Sequence, residues 1–190
     1  MNLAVLELSY FMPTFESKLQ VGRAGESLVA AWLRSRGNTI LPVYEKIIED
    51  GKGPQLFLPD KLLIAPDFFV FNHDRAMWIE AKTKTAFTKY RKTGKWVTGI
   101  DLRHYEHYLE VDKVTPWNVW LLFLQLGGQA KDSPPNSPAG LFGNPLEYLS
   151  RHESHRHSNG GPSGMVYWAM EDLTLLAQYN QGGQICGPTS

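Results

Sequence analysis

Asp67, Glu80 and Lys82 have the types and spacing to hold a divalent cation and to act beside it. They lie in the stretch 64–83, IAPDFFVFNHDRAMWIEAKT. Two apolar runs, 67–71 and 76–81, flank Asn72-His73-Asp74-Arg75. Aromatic and β-branched residues bounded by turn formers predict strand, turn, strand. With His73 and Asp74 as the central turn residues, Asn72 pairs with Arg75 and Asp67 falls opposite Glu80. Side chains alternate faces along a strand, so Trp78, Glu80 and Lys82 share one face. Like charges placed opposite each other, with Cβ atoms about 5 Å apart, destabilise a sheet. Either one carboxyl stays protonated or a divalent cation sits between them. Hard cations such as magnesium take oxygen ligands and keep several waters. The same residues also describe a half-exposed hairpin with solvated charges, and the pattern alone leaves both readings standing.

The elements that must position these groups come earlier in the chain. Residues 17–36 carry a helical pattern, with Ser17 and Gln20 as a capping box and Gly37 as a stop. Glu26 shares the apolar stripe of Gly22, Val29, Ala30 and Leu33. A carboxylate there is costly unless it is paired, bound to metal, or reaches water at the stripe's edge. Gly22 and Gly25 would let this helix approach another backbone closely. Residues 38–48 read as the first core strand, with Pro42 marking an edge. Residues 49–59 read as a loop and 61–71 as the second strand. Asp60 also follows a proline, but the same pairing carries it well past Lys82, near Phe87.

Pro66-Asp67, twelve intervening residues, then Glu80-Ala81-Lys82 resembles the signature of the PD-(D/E)XK nuclease superfamily. The likeness is greatest to its archaeal Holliday-junction resolvase and type II restriction enzyme branches, and it covers about 17–126. It implies an α/β, restriction endonuclease-like three-layer fold with a mixed central β-sheet flanked by helices. It also implies a metal-dependent deoxyribonuclease, an endonuclease hydrolysing DNA phosphodiester bonds, with junction-resolvase-like structure specificity as one option. By that resemblance Asp67, Glu80 and the backbone carbonyl of Ala81 would ligate Mg2+ or Mn2+. Glu26 would serve a second metal or water on it, Lys82 would orient the attacking water, and Thr83 would position the substrate phosphate. Some members carry Gln-x-x-x-Tyr on the following helix. His104 and Tyr108 have that spacing but depart at the first position, which leaves His104 as a site-edge or a surface histidine. A homodimer would suit this resemblance, although no interface can be read from the residues.

Beyond Lys82 lies a basic stretch, Lys84, Lys89, Arg91, Lys92 and Lys95, with Phe87, Tyr90 and Trp96 interleaved. Cations neutralise phosphates and aromatics offer stacking faces, so the segment suits a nucleic-acid backbone; a solvated loop has the same composition. Asp101 can cap a helix to about 111, and 117–126 reads as a strand buried on both faces. Residues 127–164 form a flexible Gly/Pro/His-rich insertion with a short helix at 145–150. His152, His155 and His157 could bind zinc by type, but a Gly-flanked segment preorganises them poorly. A strand at 164–170 and a helix at 173–179 follow, then a frayed tail from 181. Residues 1–12 read as a strand or a packed arm.

Length and composition fit one domain over 1–190. Lys+Arg and Asp+Glu both number 19, so any basic surface must be local. The single cysteine, Cys186, excludes an intramolecular disulfide and fits a reducing, cytoplasmic setting. No signal peptide is apparent, and no apolar run is long enough to span a bilayer. DNA is the expected partner. Two other classes stay open: an inactive nuclease-fold DNA-binding module, and an interaction domain or sugar binder using some of the six tryptophans.

Overall fold

The computed structural model describes residues 15–43, 54–130, 133–158, 164–180 and 183–187. The arm expected over 1–12, and the part of the first strand beyond 43, lie outside these residues. In chain order the elements are α1 (Phe15–Ser35), β1 (Thr39–Pro42), β2 (Gln55–Phe57), β3 (Leu62–Ile64), β4 (Phe68–Phe71) and β5 (Ala76–Lys84). Next come β6 (Thr88–Lys89), β7 (Trp96–Asp101), α2 (Leu102–Val114), β8 (Val119–Leu126), β9 (Ala139–Pro145), α3 (Leu146–Arg151) and β10 (His155–His157). The chain closes with β11 (Met165–Ala169), a 3-10 turn (Met170–Asp172), β12 (Thr174–Tyr179) and β13 (Ile185–Cys186). No described helix is long and apolar enough to cross a membrane.

Seven strands form the main sheet in the order β1-β4-β5-β8-β9-β12-β13. Only β5 and β8 run parallel; the other neighbours are antiparallel, so the sheet is mixed. A parallel pair needs a crossover, and here β6, β7 and α2 supply it. β6 and β7 join β10 and β11 in a second sheet of order β10-β11-β7-β6. The resulting α/β architecture is layered, with α1 on one face of the main sheet. There Val29 and Leu33 pack on Val70, Ile79 and Leu122. On the other face α2, α3 and the second sheet bury Trp78, Tyr105, Tyr108, Leu121 and Trp168. Gln125 ties the two sheets together: its buried Nε2 donates to Thr98 Oγ1 at 3.0 Å.

β8 is buried on both faces, which is why its sequence runs almost unbroken in apolar residues; β5 is buried from Met77 to Ala81 and half-buried from Lys82 to Lys84. α1 ends as expected at Gly37, whose φ of 78 is open to glycine at little cost and whose N–H donates to Arg34 O at 2.9 Å. Its start differs, because the helix begins at Phe15 and Ser17 lies inside it rather than at its cap.

Several expectations need correction. The strand expected over 61–71 is two strands. Ala65 and Pro66 separate β3, which pairs with β2 inside the expected loop, from β4 in the main sheet. Pro66 has no N–H for a ladder, and the Ala65 N–H turns away to Pro54 O at 2.8 Å. The flexible insertion expected over 127–164 contains β9, an interior strand of the main sheet, with Leu141, Leu146 and Leu149 fully buried in and after it. Its glycine content reflects close packing: a Cβ on Gly143 would fall 2.5 Å from the Leu121 carbonyl oxygen. The helix expected at 173–179 is β12, which pairs with β9, and the expected tail contains β13.

Candidate active site

The β4–β5 hairpin has the expected register. Phe71 pairs with Ala76, Val70 with Met77, Phe69 with Trp78 and Phe68 with Ile79. One step further places Asp67 at Glu80. The turn holds this register through Asn72, whose N–H donates to Arg75 O at 2.9 Å and whose Oδ1 accepts from the N–H groups of Asp74 and Arg75. β4 stops at Phe68, and the carboxylate of Asp67 takes over from its ladder: Oδ2 accepts the Ala81 N–H at 2.9 Å.

Glu80 is 1% exposed and lies against Tyr108 of α2. Its Oε1 forms an ion pair with Lys82 Nζ, and the Lys82 ammonium and the Tyr108 phenol are its hydrogen-bond donors. Burial and the Glu80 charge push the Asp67 carboxyl well above the usual carboxylate range, only partly opposed by Lys82 and the Ala81 N–H. Burial alone would lower the Lys82 ammonium, but Glu80 and Asp67 outweigh it and raise its pKa above the ordinary lysine value.

Glu26 approaches from α1. Burial raises its carboxyl, with Lys82 lowering it and Glu80 raising it, so it shares the field of the hairpin pair. Gly25 makes this approach feasible, since a Cβ there would lie 1.7 Å from Thr83 Oγ1. Gly22, expected to serve the same end, has nothing within 4 Å of an added Cβ. Thr83 therefore packs against α1, on the opposite side of β5 from Lys82. That places Thr83 beside Gly25, the residue before Glu26.

The basic residues are dispersed along β5 and the β6–β7 hairpin rather than gathered in a loop. Lys84 continues the face of Glu80 and Lys82; burial and the charge of Lys82 lower its pKa to about 8, and it forms no ion pair among the described residues. Lys89 lies 4.6 Å from the Trp96 ring centroid, and Lys95 pairs with Glu171 at 3.5 Å. Arg91 and Lys92 are exposed in the turn between β6 and β7.

Tyr108, singled out in the sequence only by its four-residue spacing from His104, stands against the site. It is 1% exposed, and burial, then the charges of Glu80 and Asp67, raise its phenol well above the ordinary value. Edge-on to it, at 6.1 Å, stands His104, whose imidazole is lowered first by burial and then by Lys82. His104 is thus half-buried beside the site. The signal was the i, i+4 spacing of the two rings on α2.

Among the described residues no three His, Cys, Asp or Glu side chains form a ready-made metal cluster. The later histidines diverge: His152 stacks on Tyr148, while His155 stacks between Tyr90 and Tyr167. The donor set at the hairpin does fit a hard cation. Magnesium is commonly held by one or two carboxylates with waters and substrate phosphate completing its shell, and the Glu80 carboxylate has lone pairs to spare.

No family model and no curated protein matches the chain. Among solved structures it is similar to Archaeoglobus fulgidus Hjc, a Holliday junction resolvase from an archaeal hyperthermophile. The identity is 10%, the match covers 80% of this chain and 90% of that one, and the TM-score is 0.46. It is also similar to a nuclease from a fusselovirus, at 12% identity, 88% and 91% coverage and a TM-score of 0.43.

Proposed function

We propose that this chain is a divalent-metal-dependent endonuclease that hydrolyses DNA phosphodiester bonds. The observation that carries the reading is Glu80: a carboxylate 1% exposed, paired with a lysine two residues on, beside a second carboxylate whose ionisation it opposes. Two carboxyls and an ammonium buried together are costly for structure alone, and functional sites are where such arrangements concentrate.

Asp67, Glu80 and the Ala81 carbonyl would hold Mg2+ or Mn2+, with Glu26 available to a second ion. A bound ion would supply Lewis acidity toward water and toward charge building on the phosphate. The chain's own groups do the rest. Lys82 orients the attacking water and offsets charge on the phosphate oxygens. Tyr108 and the Ala81 N–H keep Glu80 and Asp67 in place, while His104 closes the site from α2. Lys84, then Lys89, Arg91 and Lys92, lead away along β5 and the β6–β7 hairpin, where flanking phosphates would need neutralising.

The test is incubation of the purified protein with linear and four-way branched DNA, in magnesium, in manganese and in EDTA. Metal-dependent product that disappears in Glu80→Gln supports the reading. DNA binding without product in any metal points to a binding module instead. Product that persists in EDTA, or in Glu80→Gln, overturns the mechanism.

A further inference from the structure

The face of β5 opposite Glu80 carries a second concavity. Ile79 points to the α1 side, as alternation requires, and there the last turns of α1 leave a groove of about 450 Å³ over β5, β8 and β12. Its floor includes Ile79 and Leu122, and its walls include Trp32 and Trp120. Arg36, just past the end of α1, and Arg75, just before β5, stand at its rim.

Its size falls within the roughly 300–1,000 Å³ of small-molecule sites, which combine an apolar lining with a few convergent polar groups. Both arginines are exposed, and neither has a carboxylate partner among the described residues. The Arg36 guanidinium lies 5.6 Å from the Trp32 ring centroid, so ring and charge are presented together. The Trp32 indole N–H is sheltered from water and has no acceptor among the described residues. Buried donors are normally paired, and an anionic ligand would bring acceptors to this wall. A guanidinium is planar, always charged and matched to carboxylate and phosphate oxygens. An uncovered apolar face would explain the floor, but it does not explain two cations at its rim that have no carboxylate partner among the described residues.

We propose that this groove binds a small planar aromatic anion, its ring between the tryptophan walls and its carboxylate or phosphate held by Arg36 and Arg75. An aryl carboxylate and a nucleoside monophosphate both have this chemistry. The inference is independent of the nuclease reading, because none of its residues belongs to the site at Glu80.

The test titrates the full chain with 2-naphthoate, dAMP, the neutral 2-naphthylmethanol and inorganic phosphate, following tryptophan fluorescence and melting temperature. A saturable change with 2-naphthoate or dAMP is expected, and which of them binds tells the two sources apart. Affinity should fall roughly tenfold or more in Arg36→Gln/Arg75→Gln, two exposed positions where the fold should tolerate change. It should be unaltered in Lys82→Ala. No saturable change with either anion overturns the proposal. So does equal binding of the neutral analogue, an affinity unchanged in the double variant, or dAMP binding that is lost in Lys82→Ala.

Discussion

The Ala81 backbone N–H donates to Oδ2 of Asp67 at 2.9 Å, across a hairpin and fourteen positions away in the chain. A side chain thus completes a ladder that β4 leaves unfinished, and it aims the second carboxylate at Glu80. The structural role of Asp67 and the metal-binding role proposed for it meet in this one contact and can be separated by substitution.

Asp67→Asn keeps an acceptor for the Ala81 N–H and removes the repulsion from Glu80. The variant should lose cleavage by 10²-fold or more, on the order of losing one electrostatic group at a reacting centre. Its melting temperature should equal or exceed that of the parent. Manganese binding by calorimetry should weaken in parallel. Asp67→Ala, which leaves the N–H unpaired, should instead cost about 1–3 kcal/mol in chemical denaturation.

Lys82→Ala strands a carboxylate that is 1% exposed. Removing one partner of a buried pair costs roughly 3–5 kcal/mol; with the Lys82 side chain 31% exposed, the low end applies. Adding Glu80→Gln should restore most of the loss, because the stranded charge is then gone. A double variant no more stable than Lys82→Ala would show that the pair is not what holds this part of the sheet.

Lys84, with its pKa lowered to about 8, should give DNA affinity an alkaline dependence. It is charged below that value and neutral above it, so its share of binding at fixed salt is lost as pH rises from 7 to 9. Lys84→Arg, charged throughout, should flatten the profile. The stability linkage has the opposite sign. Between about 8 and the ordinary 10.5 the unfolded chain holds a proton that the folded chain has released, so stability rises with pH in that window. Denaturant titrations at pH 8 and pH 10, compared with Lys84→Met, measure it.

Gly25→Ala and Gly22→Ala should diverge although they lie on one helix. At Gly25 the new methyl meets Thr83 Oγ1 at 1.7 Å and must push α1 from β5. Stability should fall by about 1–3 kcal/mol as for other overpacked sites, and cleavage should fall with it as Glu26 is displaced. Thr83→Ala should restore part of both. At Gly22, where nothing lies within 4 Å, alanine should add about 0.5–1 kcal/mol.

Much of the site was legible because its geometry is local. The turn at Asn72 and the alternation of β4 and β5 sit within one short stretch, so the pairing of position 67 with position 80 follows from nearest neighbours alone. The run of α1 to Gly37, the Asp101 cap of α2, which accepts the Arg103 N–H at 2.9 Å, and the apolar run of β8 are local in the same sense. Tyr108 was legible only as a four-residue spacing with His104; its place against Glu80 depends on how α2 crosses the sheet.

What the sequence by itself determined is the set of groups that can do chemistry and the hairpin that pairs two of them. A two-residue period and a tight turn leave one register that buries the apolar face. Only the tertiary structure decided which neighbours those groups meet: that Thr83 turns toward Gly25, that Lys95 is occupied by Glu171, and that the glycine-rich residues 139–145 form an interior strand. The reason is the close approach of backbones distant in the chain. Glycine reads as a loop former until another strand lies where its side chain would be, and no window of sequence contains that second strand.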